Sequence, residues 1–118
     1  MISIDLFRHE GSSQSFPRGS VVFAEGDRGD TMYVVLEGSV DLLIRGTTVE
    51  SLGPGGLFGE MTMIDGSPRV ATAIARTDSK LVPIDERRFN FLVQQTPHFA
   101  LQVMRILADR LRRMDEKL

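Results

Sequence analysis

All 11 glycines of this chain fall between Gly11 and Gly66, and none follows in the remaining residues up to Leu118. That distribution constrains the fold more than any other feature. Gly19, Gly26, Gly38, Gly46 and Gly53 recur at spacings of seven to twelve residues. Between them lie short β-compatible runs at 21–23, 32–36, 40–44 and 47–52. Short strands between regularly spaced turns read as an antiparallel sandwich or barrel. Val40, Leu42 and Ile44 alternate with other residues, which gives that strand one buried face. Two later runs, 70–75 and 80–84, extend the pattern. In the opening, Ile4 and Leu6 read as part of an edge strand, and residues 11–15 read as a loop.

From Asp85 the period changes. Asp85 reads as a helix cap, with Ile84 and Phe89 placed as a hydrophobic staple. Phe89, Leu92 and Val93 form the apolar face of that helix. Thr96 and Pro97 read as the cap and first residue of a second helix, which no glycine or proline interrupts to the end of the chain. This helix carries two apolar stripes. One is Phe99, Val103 and Ile106. The other is Met104, Leu107, Leu111, Met114 and Leu118, spaced like a coiled-coil seam over about two heptads. Arg110, Arg112 and Arg113 lie between them. One stripe can pack on the barrel while the other meets a second copy, so a homodimer through this helix is expected.

A length of 118 residues supports one domain with a single core, a barrel over about 1–84 followed by helices over about 85–117. The formal net charge of −2 argues against a general nucleic-acid or membrane surface. The chain has no cysteine, hence no disulfide or thiol chemistry. No apolar run approaches the roughly 20 residues of a membrane span, and the start lacks the charged and apolar regions of a signal peptide. A cytoplasmic protein is the default.

The chemistry concentrates in residues 55–73. Gly55, Gly56 and Gly59 let backbone approach a ligand closely. Glu60 supplies a carboxylate, and Arg69 supplies a permanently charged planar fork suited to phosphate or carboxylate. Asp65-Gly66-Ser67-Pro68 between them is a turn. A short helical turn after Phe58 would present backbone N–H groups beside the arginine. The layout reads as a clamp, with Arg69 on an anion and Glu60 on a hydroxyl of the same ligand. A cyclic nucleotide offers both groups. Taken singly, Arg69 reads as a surface ion-pair partner and Glu60 as a solvated turn residue. His9 and His98 are isolated and supply no metal site of the kind cupin-type barrels use. No Ser/His/Asp set or close carboxylate pair appears, so no enzyme is expected.

Gly59-Glu60 and Arg69-Val70-Ala71 resemble the phosphate-binding cassette of cyclic-nucleotide-binding domains, the family of the catabolite activator protein and the protein kinase A regulatory subunits. Glu25-Gly26-Asp27, followed by a strand that ends at Gly38, resembles a second part of that family's pattern. The resemblance spans nearly the whole chain. It implies a mainly β fold with C-terminal helices: a jelly-roll β-barrel of the double-stranded β-helix type. It implies that Glu60 holds the ribose 2′-hydroxyl and Arg69 the cyclic phosphate. Phe58, Gly59, Met61, Val70 and Ala71 are expected around the ligand. Residues of the long helix are expected to close over the base, at Met114 and Asp115 here. Neither supplies a hydroxyl, and a carboxylate at Asp115 can accept from the Watson–Crick edge of guanine, which favours cyclic GMP or little discrimination. Val70 departs from the family's hydroxyl residue, which removes one phosphate hydrogen bond.

The expected ligand is therefore cyclic AMP or cyclic GMP, acting as a regulatory ligand and not a cofactor, with a downstream effector protein as a further partner. The family's regulators follow the long helix with a helix-turn-helix DNA reader. None precedes Leu118, so direct DNA binding by this chain is not expected. A stand-alone domain and a piece of a longer regulator both remain open. The rival reading is a degenerate member that binds no nucleotide and serves as a dimeric interaction module, and Val70 is the residue that favours it.

Overall fold

The computed structural model describes residues 1–7 and 12–116, with side chains to residue 113. His9, and the side chains of Met114, Asp115 and Leu118, lie outside the described part. Eight strands form two four-stranded antiparallel sheets, of orders β1-β8-β3-β6 and β2-β7-β4-β5. They are β1 (Gln14–Phe16), β2 (Val21–Phe23), β3 (Met32–Glu37), β4 (Val40–Ile44), β5 (Thr47–Leu52), β6 (Leu57–Phe58), β7 (Thr72–Ala75) and β8 (Ser79–Ile84). The helices are α1 (Glu60–Asp65), α2 (Glu86–Gln95) and α3 (His98–Glu116). The barrel is a jelly roll with α2 and α3 stacked on one sheet.

That stacking explains why β3 reads as an unbroken apolar run. Met32, Val34 and Leu36 join a cluster with Leu92, Phe99 and Val103 on the helix side. Tyr33 and Val35 join Val40, Phe58, Ala73 and Leu81 between the sheets. A strand covered on both faces has no polar side to show. β8 follows the same rule, with Val82 and Ile84 under the helices and Leu81 inside the barrel. Register supports it, because Val34 faces Val82 and Met32 faces Ile84 across the β3–β8 ladder.

The helix starts follow their local chemistry. Asp85 caps α2, accepting from the Arg88 N–H at 2.8 Å. Ile84 and Phe89 pack in one cluster, as a staple requires. In α3, Phe99 and Val103 are buried against the barrel while Met104 and Leu111 stand 61% and 62% exposed. The second stripe is divided, because Leu107 packs partly buried against the cluster under the helices.

Four expectations are corrected. Ile4–Leu6 is a 3-10 helix and not an edge strand. The Ile2 N–H donates to the Gly55 carbonyl, and Ile2 and Phe7 sink into the cluster beneath the helices. Strand pairing begins at Gln14, where β1 meets β8, so Gln14 and Ser15 belong to a strand and not to a loop. β7 starts at Thr72 and α3 at His98. Residues 70–71 belong instead to the wall of the site described next.

Candidate functional site

Arg69 is held first by its backbone. Its N–H donates to the Asp27 carbonyl at 2.9 Å and its carbonyl accepts from the Gly26 N–H at 2.8 Å. These two bonds fasten the segment before β7 to the turn after β2. The side chain turns inward and is only 6% exposed. Nη1 donates to the Gly59 carbonyl at 3.2 Å. The guanidinium carbon lies 4.0 Å from the centre of the Phe23 ring, a cation–π contact. Phe23 is backed by Phe58, 5.8 Å between ring centres, and Phe58 stacks on Tyr33 at 5.5 Å. Burial lowers the Arg69 pKa below its ordinary value, and the charges of Tyr33, Asp30 and Asp27 oppose the shift.

Two glycines leave space for that fork. A Cβ on Gly29 would lie 2.8 Å from Nη2, and one on Gly59 would lie 2.8 Å from Nη1. Gly59 also has φ +76°, a left-handed conformation that side chains disfavour. Arg69 Nε is buried with no hydrogen-bond partner among the described residues. A buried cationic donor left unpaired is costly, and calls for an acceptor.

Glu60 opens α1 and is buried. Its Oε1 lies 2.9 Å from Arg110 Nη1, while its Oε2 makes no hydrogen bond among the described residues. A carboxylate has lone pairs for both a cation and a further donor. Arg110 spans three elements. It meets Glu60 on α1, takes both oxygens of Glu50 on β5 at 3.1 and 3.3 Å, and donates to the Leu57 carbonyl of β6. Burial alone would lower the Arg110 pKa, but the Glu50 hydrogen bond and the charges of Glu60 and Glu50 outweigh it and raise it. The site is thus joined to the long helix through one cation.

Arg69 and Glu60 border a single cavity of about 540 Å³, within the ordinary range for small-molecule sites. Of the residues expected around a ligand, Gly59, Glu60, Met61, Arg69, Val70 and Ala71 all line it. Phe58 does not. It is fully buried and acts from behind, as the ring on which Phe23 rests. Asp115 lies outside the described side chains. Leu42, Ile44, Val49, Leu107 and Leu111 make other parts of the wall apolar. Such a cavity suits a ligand with an anionic group for Arg69, a donor for Glu60 and an apolar part. Among the described residues no group of three or more His, Cys, Asp or Glu could hold a metal.

Arg110, Glu50, Gly29 and Phe23 were not anticipated as parts of the site. For Arg110 a signal exists. Phe99, Val103, Ile106 and Arg110 follow one another at steps of four, three and four, so Arg110 continues the barrel-facing stripe. A charge in an apolar stripe calls for a buried partner.

A jelly roll with helices on one sheet and a buried arginine in its cavity defines a small-ligand-binding domain. The chain belongs to the cyclic nucleotide-binding domain family, whose model matches residues 13–96. It is 34% identical over 108 residues to a CRP-like cAMP-activated global transcriptional regulator of Mycobacterium tuberculosis, covering 87% of this chain and 48% of that one. It is 33% identical over 120 residues to the cyclic AMP receptor protein of Thermus thermophilus, covering 98% of this chain and 56% of that one. The crystal structure of the Thermus thermophilus catabolite activator protein superposes with TM-score 0.79 at 31% identity, over 98% of this chain and 61% of that chain. The chain spans about half the length of these curated relatives. No described helix is long and apolar enough to cross a membrane.

Proposed function

We propose that this chain is a non-enzymatic sensor domain that binds cyclic AMP or cyclic GMP and passes occupancy to its C-terminal helices. The observation that carries this is Arg69, a buried guanidinium with an unpaired Nε at one end of the cavity that Glu60 also borders. The cyclic phosphate meets Arg69, the ribose 2′-hydroxyl meets Glu60 Oε2, and the base lies among the apolar walls. Arg110 ties Glu60 to α3, so whatever changes at the ribose is felt by the helix. The exposed stripe of Met104 and Leu111 fits a second copy, giving a homodimer that acts in the cytoplasm on a downstream effector protein.

One observation favours the rival, a dimeric module that binds no nucleotide. Val70 stands on the cavity wall, 56% exposed, and offers no hydroxyl to a phosphate. Titration calorimetry with each cyclic nucleotide separates the two. Removing one partner of a desolvated charge pair costs about 2–5 kcal/mol, so Arg69→Ala should weaken binding about 30-fold to a few thousandfold. No heat with either nucleotide on folded wild-type protein would establish the rival, and unchanged affinity in folded Arg69→Ala would free Arg69 of its role.

A further inference from the structure

We infer that Arg113 is the specificity-determining residue of this site and that it selects guanine over adenine by reading the O6/N7 edge of the base. The inference rests on the proposed nucleotide site and names which nucleotide the site takes.

Three observations carry it. The first is position. Arg113 lines the same cavity as Arg69, Glu60 and Arg110. It sits three residues beyond Arg110 on α3, about 4.5 Å further along the helix axis. Arg69 marks the phosphate end and Glu60, bound to Arg110, marks the sugar. We place the base there, just under one turn past Arg110.

The second is availability. The carboxylates beside Arg113 are already committed, since Arg110 takes Glu50 and Glu60 together. Arg112 pairs with Asp109 on the same helix. Arg113 makes no hydrogen bond or ion pair among the described residues, and its guanidinium carries five donors.

The third is the chemistry of the surroundings. The cavity that Arg113 lines also has apolar walls, with Val49, Leu107 and Leu111 among them. These side chains hold a flat ring without distinguishing one purine from another. Arg113 is the group there that can. Guanine presents O6 and N7 side by side, two acceptors that match an arginine fork. Adenine presents N7 next to an amino donor, which faces the cation with its own hydrogens. A bidentate arginine–guanine contact is a strong form of base discrimination. Because Arg113 is exposed, water competes for its donors. The expected preference for cyclic GMP over cyclic AMP is therefore about five- to thirtyfold, the lower half of what such a contact supplies.

The experiment is a titration of cyclic GMP, cyclic AMP and cyclic IMP against wild type, Arg113→Ala and Arg113→Gln. Inosine keeps O6 and N7 and lacks the 2-amino group of guanine. Wild type should bind cyclic IMP about as well as cyclic GMP and cyclic AMP five- to thirtyfold more weakly. Arg113→Ala should bring the two natural nucleotides to within about threefold. Arg113→Gln should move the ratio towards cyclic AMP, because a glutamine amide pairs with the N6/N7 edge of adenine. Far-ultraviolet circular dichroism should show α3 intact in each variant, so that a changed ratio reports the side chain and not the helix. Equal or tighter wild-type binding of cyclic AMP overturns the inference and leaves the sensor reading standing. So does a ratio unchanged in Arg113→Ala, and so does cyclic IMP that follows cyclic AMP. Failure of wild type to bind any of the three overturns both.

Discussion

Replacing Arg110 by alanine tests the central claim of the structure, that one cation ties α3 to the cassette. The guanidinium lies 2.9 Å from Glu60 and takes both oxygens of Glu50. The three side chains are 16%, 11% and 19% exposed. Removing one partner of a fully buried pair costs about 3–5 kcal/mol, mostly because the other charge is left desolvated. Here two carboxylates and the Leu57 carbonyl lose a donor at once, but residual solvent softens each loss. The expected destabilisation is about 2–4 kcal/mol, well above the roughly 0.5 kcal/mol of an ordinary surface substitution. For a domain of this size that lowers the melting temperature by roughly 6–20 °C. Urea unfolding followed by far-ultraviolet circular dichroism measures the loss. Double-mutant cycles with Glu50→Ala and Glu60→Ala then apportion it, since neighbours in one network do not add. Hydrogen exchange should rise along α3 while β3 and β8 stay protected, because the perturbation acts on the helix attachment. A loss under about 0.5 kcal/mol, with no coupling in either cycle, would show the contact to be a solvated ion pair and refute the linkage.

Further outcomes follow from the same geometry. Glu60→Gln keeps the shape and removes the charge, so it should weaken cyclic nucleotide binding more than binding of a 2′-deoxy analogue, and equal losses in calorimetry would take Glu60 off the ribose. Val70→Ser restores a hydroxyl on the cavity wall and should tighten binding by about 0.5–1.5 kcal/mol; weaker binding would mean that the valine packs on the ligand. Leu111→Glu sets like charges against each other across a two-fold contact, where neither finds a partner. The variant should sediment as a monomer at concentrations where wild type is a dimer, and a wild type that is monomeric with ligand bound would end the dimer proposal.

Much of the barrel was legible because its signals are local. Glycine turns and β-branched runs mark each strand without reference to the rest of the chain, and Asp85 announces α2 by its own side chain. The opening segment was not legible for the opposite reason. Ile4 and Leu6 alternate as a strand would, but no sheet edge accepts them, and the burial of Ile2 and Phe7 under the helices decides the local conformation. Glu60 and Arg69, paired by the cassette motif, line one cavity. The motif gave no view of what surrounds them, since Gly29, Phe23 and Glu50 arrive from distant strands and loops. Phe58 shows the limit of reading a site from adjacency. It precedes Gly59 in the chain, yet its ring is fully buried in the barrel, where it backs Phe23 and stands off the cavity wall.

On the proposed reading, Glu60 is the point where ligand and helix compete for one charge or share it. With Oε1 on Arg110 and Oε2 towards the ribose, both can be served at once, and the ligand then adds a contact without breaking one. A ligand shifts a conformational equilibrium only by its differential affinity for the two states. A 2′-hydroxyl bonded to a carboxylate already fixed by Arg110 therefore favours the state in which α3 is docked. If α3 were undocked, Glu60 would be free to rotate and the same hydroxyl would have to order it. The coupling between nucleotide and helix is then bounded by the strength of that charge-assisted hydrogen bond, about 1.5–3 kcal/mol, which corresponds to roughly 10- to 150-fold in the docked population. The direction is specific: binding orders the helix against the barrel. It also makes the exposed Leu111 stripe, and any partner that reads it, part of the same equilibrium.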